Sequence, residues 1–560
     1  MSRQPKFVGA PVTVPPSLVS DTTLETPHSP GPGGDRSRSA TGSAAGTSKP
    51  FVLRHVWWFV AVAEIVLAGV IARVADTRPG YDPYGWLIWG YQTIHGSLSL
   101  AGAPSWKPLP LIVTAPAALF GNHLQLWIWM TVSIAVSFSG TIFAARIAYK
   151  VVNRDGNYLY PAILAALFAG FGMYGIQDNI NGTLDPYLHY LLSHQSDTMI
   201  VSLILAAIDF HMSGRRRWVI AMLVLAGLGR PEAWPILGLY SLWCWRHRPD
   251  MRWFIGISLV LLVVLWFGVP WITNGRPLLA GDLAQGSPRE LHQNKIIGTI
   301  DRFKTLNLWP VWLVALAAVA WAGVRWRRLR AGMPDGAGEP GGTAQPAGAE
   351  PAAADRLLVL GLAAGVLIWL VVEIAFAIHG WPAVPRYIFE PAAVVVLLAG
   401  IGFGWLLTEI PLRLGVPRAA GIVLAAALFV CLIPAGITRL RREHKDLHDQ
   451  QARTTEINKL STYIAGLGGP ARIEACGGAL VNVEYVSVMA FDLNQSTGHV
   501  AYQPRKVLLR SNPVIYFVPF PNGWGATPLR PQRANAAGCA SLKSLYVPTA
   551  RHPQGVLVPK

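Results

Sequence analysis

Residues Asp76-Thr77-Arg78-Pro79-Gly80-Tyr81-Asp82-Pro83-Tyr84-Gly85-Trp86 follow directly on an apolar run over 55–75. A run of ~20 apolar residues is long enough to cross a bilayer, and the polar, Pro- and Gly-bearing stretch behind it ends the crossing. The carboxylate of Asp82 therefore stands just beyond a membrane span. Behind it, Trp86-Leu87-Ile88-Trp89-Gly90-Tyr91 is an aromatic stretch suited to lying in the membrane interface. The same alternation of apolar run and short polar connection repeats roughly a dozen times down the chain.

Composition sets the class. In 560 residues, 52% are hydrophobic, 14% are charged and 22 are Trp. Such a chain has no polar skin for a soluble globule, so it reads as an α-helical polytopic membrane protein. Residues 1–54 read as a disordered cytoplasmic tail: the Pro-, Gly-, Ser- and Thr-rich stretch 11–50 lacks an apolar core and the apolar segment of a signal peptide. The net charge of +17 sits in short connections: Arg146/Lys150/Arg154, Arg215/Arg216/Arg217, Arg246/Arg248/Arg252, Arg325/Arg327/Arg328/Arg330 and Arg413/Arg418. Basic loops flanking apolar spans mark the cytoplasmic side. The charge thus reports topology, and no nucleic-acid partner is expected.

With those clusters as anchors, spans fall near 55–75, 125–148, 158–176, 197–212, 217–229, 232–247, 253–273, 308–324, 356–378, 388–408 and 419–437. That is about 11 crossings within a transmembrane domain over 55–437. The run 109–120 is too short to cross and reads as a re-entrant or interfacial helix; the short runs 217–229 and 232–247 also fit a helical hairpin around Arg230. Outer loops cover 76–124, 177–196 and 274–307, and a Gly-, Ala- and Pro-rich cytoplasmic linker covers 325–356. Residues 438–560 read as a small extracytoplasmic α/β domain. It opens with a charged helix over 438–466, followed by strands at 472–476, 507–509 and 514–518. Cys476 and Cys539 in an oxidising compartment are expected to form a disulfide, the alternative being two buried thiols. The aromatic stretch 516–524 either stacks on sugars or builds that domain's core.

The outer segments carry a resemblance. The acid Asp82 after the first span, the interfacial stretch closing at Ile94-His95-Gly96, and the Lys107-Pro108-Leu109 helix closing at Leu119-Phe120-Gly121 resemble the opening module of C-type glycosyltransferases. These include the lipid A aminoarabinose transferase and the protein O-mannosyltransferases. Ser193-His194-Gln195-Ser196-Asp197-Thr198 is similar to that superfamily's second acidic loop, and Gly229-Arg230-Pro231-Glu232 to an Arg-Pro-Glu turn of several bacterial members. Pro385-Arg386-Tyr387-Ile388-Phe389-Glu390-Pro391 is similar to the element that faces the lipid phosphate. The resemblance spans most of 55–410 and implies an inverting transferase in the inner or plasma membrane. It implies a polyprenyl-phosphate sugar donor and a cell-envelope acceptor; the Ala-, Gly-, Arg- and Pro-rich composition fits an actinobacterial member using arabinose or mannose.

The residues themselves fit that chemistry. Transfer of a sugar needs a base for the acceptor hydroxyl and cations for the departing phosphate. Asp82 is the candidate base, its competing role being a helix cap. Lys107, Arg230 and Arg386 with Tyr387 are candidates for the phosphate. Arg386 alternatively snorkels, and Arg230 alternatively pairs with Glu232 or another buried acid. Asp185, Asp197 and His194 form the second acidic loop, and Glu373, inside a span, must face protein or a cavity. No metal site is assigned and no cofactor is certain; a divalent metal stays an open alternative without support, because the second acid that many members of the resembled family carry beside the first is absent next to Asp82. A lipid-linked glycan transporter, or a non-catalytic envelope-assembly protein, is the alternative. A reporter fused after Lys560 that works only in the cytoplasm is expected to stay silent; activity there would overturn the orientation of every loop.

Overall fold

The computed structural model describes residues 51–102, 106–177, 186–285, 289–292, 294–331, 349–503, 514–520 and 523–529. By contacts the chain divides after Val56. Of the first unit only the opening turns of a helix are described, and the second carries the bundle and the sheet.

Helix α1 (Phe51–Val74) ends in a left-handed turn at Asp76, φ 50°. Two short helices follow, α2 (Tyr81–Ile94) and α3 (Pro108–Ala118), and then the long α4 (Gly121–Val152). Next come α5 (Leu159–Phe171), α6 (Tyr187–Leu192), α7 (Ser196–Met212), α8 (Arg216–Gly229) and α9 (Trp234–His247). α10 (Arg252–Val263) runs through a π turn into α11 (Val269–Asn274), and α12 (Leu279–Ala284) and α13 (Lys295–Leu306) follow in the segment expected as the third outer loop. α14 (Trp309–Arg330), α15 (Ala349–Ile378), α16 (Phe389–Leu407), α17 (Glu409–Leu414) and α18 (Arg418–Gly466) complete the bundle. Helix thus enters the expected linker from both sides, and 332–348 lie outside the described residues.

Among the described residues, 7 helices are long and apolar enough to cross a membrane: His55–Val74, Gly121–Val152, Pro249–Asn274, Trp309–Arg330, Ala353–Ile378, Pro385–Leu407 and Arg418–Gly466. The four other expected crossings are shorter. α8 and α9 have 14 residues each, so each rises about 21 Å against a hydrocarbon core of about 30 Å.

α16 is the axis. In its most apolar window 89% of residues are buried, against 11% in α1 and 17% in α18. Its glycines explain how three neighbours crowd it. A Cβ at Gly400 would lie 2.8 Å from Ala169, one at Gly402 would lie 2.8 Å from the Val314 carbonyl, and one at Gly404 would overlap Val152. Small residues of this kind let helix backbones approach closely, which is what holds a bundle together in lipid.

Ion pairs gather at the end of the bundle remote from Asp82. Arg146 and Lys150 bind Asp209 at 3.0 and 2.6 Å, Arg154 binds Asp355 at 2.6 Å, and Arg356 and Arg325 bind Glu409. Basic residues read as topology markers therefore also have local acids.

α18 has 49 residues, about 74 Å at 1.5 Å per residue, so its polar second half extends well past a membrane core. The boundary expected near 437 falls inside this one helix. The strand expected at 472–476 is instead α19 (Pro470–Ala475): Pro470 sits at its N-terminal turn and Gly477 and Gly478, both at positive φ, follow it, a start and stop that favour helix. The strand expected at 507–509 lies outside the described residues. A three-stranded sheet forms from β1 (Ala479–Leu480), β2 (Val514–Phe520) and β3 (Gly523–Leu529), with β1 parallel and β3 antiparallel to β2. Phe517 and Trp524 belong to its core: both are buried, and Trp524 packs edge-on to Tyr485 at 5.0 Å. Cys476 is buried, and Cys539 lies outside the described residues.

This C-terminal part sits on the loop that carries Asp82. Gln451 and Arg453 of α18 donate to the carbonyls of Ala75 and Pro79, each at 2.9 Å. α20 (Val486–Asp492) packs on α2, with Phe491 edge-on to Tyr84 at 5.4 Å. Beneath, α2 meets α3 at Gly90, where any Cβ would overlap the Thr114 carbonyl. Gly90→Val is expected to cost at least ~1–3 kcal/mol by overpacking, read as a lower unfolding temperature in detergent. Unchanged unfolding would contradict the α2–α3 contact.

Candidate active site

The candidate site residues come from six separate stretches of sequence, and most of them meet at the head of α16. Asp82 lies in the first turn of α2, whose cap position is Gly80 and receives no side-chain hydrogen bond. It is therefore not the cap, but it gains from the positive end of the helix. Its Oδ2 accepts from Arg386 Nη2 at 3.2 Å, with the two side chains 19% and 14% exposed. The pair is reachable from solvent yet largely shielded, so salt screens it less than a surface pair.

Arg386 is presented by the short 3-10 turn Pro385–Ile388 that leads into α16. The turn is held from several sides. Arg302 of α13 donates to the carbonyls of Pro382 and Ala383 at 2.9 and 2.6 Å, and Trp369 of α15 donates to the Tyr387 carbonyl at 3.0 Å. Ala383 sits at φ 44°, a left-handed conformation that a non-glycine residue keeps only when its surroundings hold it.

Lys107, just before α3, places Nζ 5.6 Å from the centre of the Trp86 ring. Burial, with the charges of Arg230 and Arg386 beside it, lowers its ammonium to about 7, while Asp82 and Glu232 pull the other way.

Arg230 is 2% exposed. Its guanidinium pairs with Asp197, lies 3.6 Å from both Glu232 and Glu390, and stacks over the Tyr387 ring at 4.0 Å. Glu373, from α15, lies in the same knot against Glu232, Arg230 and Glu390. All four carboxylates are at most 1% exposed. So Arg230 is engaged by acids, the alternative the sequence left open for it. The carboxylates also keep unbonded oxygens: Asp197 Oδ2, Glu232 Oε2, Glu373 Oε2 and both oxygens of Glu390 lack a hydrogen-bond partner. Four acids packed around one guanidinium cannot all be ionised at once, since like charges in a buried site disfavour one another, and Arg386 and Lys107 are the next cations outward.

Of the second acidic loop, Asp197 joins the cluster and His194 does not. Asp197 is in the first turn of α7 but does not cap it; its role is the Arg230 pair. His194 is fully buried at φ 57° and shares a 3.2 Å hydrogen bond with Ser133 of α4. Burial pushes its imidazole down to about 3, so it stays neutral and serves packing. Asp185 lies outside the described residues. Among the described residues, no group of three or more His, Cys, Asp or Glu is placed to hold a metal ion. Glu390 is a further member of the cluster, and its signal in the sequence is an acid at the mouth of an otherwise apolar span, where a charge must have a partner.

No family model and no curated protein matches the chain. Two solved structures are similar to it: ArnT from Cupriavidus metallidurans bound to undecaprenyl phosphate, and the same protein in the apo state. Each aligns over 83% of this chain and 93% of its own, at 13% identity and a TM-score of 0.42.

The Lys107 environment yields a pH test. Its pKa is about 7 folded against 10.5 for the ordinary side chain, so the folded state binds fewer protons than the unfolded between those values. Stability contributed by this group therefore rises with pH from about 7 to 10.5. Lys107→Met is expected to raise the unfolding temperature most at pH 6, with the advantage over wild type shrinking as pH climbs through that window. A pH-independent difference would contradict the burial of this ammonium.

Proposed function

We propose that this protein is a membrane glycosyltransferase that moves a sugar from a polyprenyl-phosphate donor to a cell-envelope acceptor, with inversion. The observation that carries this reading is the Asp82–Arg386 pair with Lys107 beside it, one base and two cations at the head of a buried helix. In the reaction the acceptor oxygen forms a bond to the anomeric carbon as the bond from that carbon to the phosphate oxygen breaks. The acceptor's proton passes to the Asp82 carboxylate. The electron pair of the broken bond leaves with the phosphate, whose added charge Arg386 and Lys107 stabilise.

In the structure Arg386 holds Asp82. An incoming phosphate competes for that guanidinium, and each step toward phosphate binding frees the carboxylate to accept a proton. Arg386 thereby serves first as a restraint on the base and then as a ligand of the donor. The Arg230 knot behind it holds the Arg386 turn by the stack on Tyr387 and a 3.5 Å contact to the Arg386 carbonyl. The location that goes with this reading is the outer face of the inner or plasma membrane.

Asp82→Asn keeps the size and hydrogen bonding but cannot take a proton. Transfer from a polyprenyl-phosphate sugar in membranes is expected to fall by ~100-fold or more, with polyprenyl phosphate still bound. Arg386→Ala is expected to weaken both binding and transfer. If Asp82→Asn transfers at the wild-type rate, Asp82 is not the base.

A further inference from the structure

A cavity of about 560 Å³ lies between α7, α8, α9, α15 and α16, and neither Asp82 nor Arg386 lines it. Its walls are aliphatic, among them Ile204, Leu223, Ile236, Leu362 and Val394. Along α15 it runs from Ala354 to Trp369, about 22 Å at 1.5 Å per residue. That is longer than one leaflet, half of a core about 30 Å thick. Its origin is legible in the helix lengths: α8 and α9, at 14 residues each, are too short to fill the wall they stand in.

The two ends differ. At one end stands Glu390, ion-paired with Arg230, both at most 2% exposed, so a chain coming from the Arg386 side would have to break that pair. The other end is charged and more open. There Arg154 pairs with Asp355, and the two hydrogens of Arg216 Nη1 are shared among His211 Nδ1, the His211 carbonyl and the Tyr240 hydroxyl, at 2.6, 3.0 and 3.3 Å. Arg215 and Arg217 flank it in sequence. The side wall opens toward lipid at Leu357, 54% exposed. Gly361 and Gly365 also line the cavity, and a Cβ at either would meet nothing within 4 Å. They form a flat strip, four residues apart, along which a linear chain can lie.

We infer that this cavity is a binding site for one acyl chain of an anionic glycerophospholipid, whose phosphate meets Arg216 at the charged rim. An apolar interior with a basic mouth is the complement of such a lipid, and a basic residue near an anionic lipid headgroup attracts it. The site does not depend on the catalytic reading. A chain that fills it ends against Pro391 and Glu390, at the back of the ion knot.

The test uses the full-length protein in mild detergent, offered phosphatidylglycerol, phosphatidylcholine and polyprenyl phosphate, with bound lipid read by native mass spectrometry. Wild type is expected to retain phosphatidylglycerol about fivefold over phosphatidylcholine, the ~1 kcal/mol scale of one basic residue near anionic lipid. Gly361→Leu/Gly365→Leu, which fills the strip, is expected to lose the bound lipid while its unfolding temperature is kept. Arg216→Ala, which leaves the cavity open, is expected to bind both phospholipids equally. Retention of phosphatidylglycerol by the filled variant overturns the site. So does an Arg216→Ala protein with unchanged preference, or polyprenyl phosphate as the lipid that filling displaces.

Discussion

Everything at the head of α16 follows from the cost of burying Arg230. A guanidinium taken out of water must be surrounded by acids, and acids taken out of water must share cations. Asp197 from α7, Glu232 from the turn before α9, Glu390 from α16 and Glu373 from α15 supply the first requirement. These elements are therefore tied at one point at the same depth. Losing Arg230 would leave these acids buried without their shared cation, so the knot fixes where α16 begins and where Arg386 stands.

From that fixed point the arrangement extends outward in order of exposure. The knot is sealed, the Asp82–Arg386 pair is partly open, and the loop bearing Asp82 is capped by α18 and α20. Two different parts of the chain thus aim Asp82 and Arg386 at each other. Arg302, Trp369 and the strained Ala383 turn hold Arg386; Gln451 and Arg453 hold the 75–79 segment ahead of Asp82. Bringing together residues 304 apart in sequence needs both. Beyond the knot, away from solvent, the short α8 and α9 leave apolar space that lipid is suited to fill.

Much of this was written in the sequence, because membranes impose simple rules. Long apolar helices, the short helix after Lys107 and the strand from Val514 are all set by local hydrophobicity and by Pro and Gly placement. The helix over 470–475 was legible too, since Pro470 opens it and Gly477 and Gly478 close it, but its alternating apolar residues outweighed those signals. What the sequence could not assign were partners. That Arg230 would choose Asp197, 33 residues away, with Glu390 beside it, depends on which helix faces which, and a single chain does not state that. Four of the 11 expected crossings are helices of only 13 to 17 residues, and hydropathy alone does not separate a short span from a packed interior helix.

The central claim is that Arg386 exchanges Asp82 for a lipid phosphate. The most direct measurement is a structure of the full-length protein with polyprenyl phosphate bound. The account requires phosphate oxygens within hydrogen-bond distance, about 2.7–3.2 Å, of Arg386, with Lys107 facing the same group and the Asp82 carboxylate released from Arg386 toward the open side. A phosphate held elsewhere, with the Asp82–Arg386 pair intact beneath it, would contradict it.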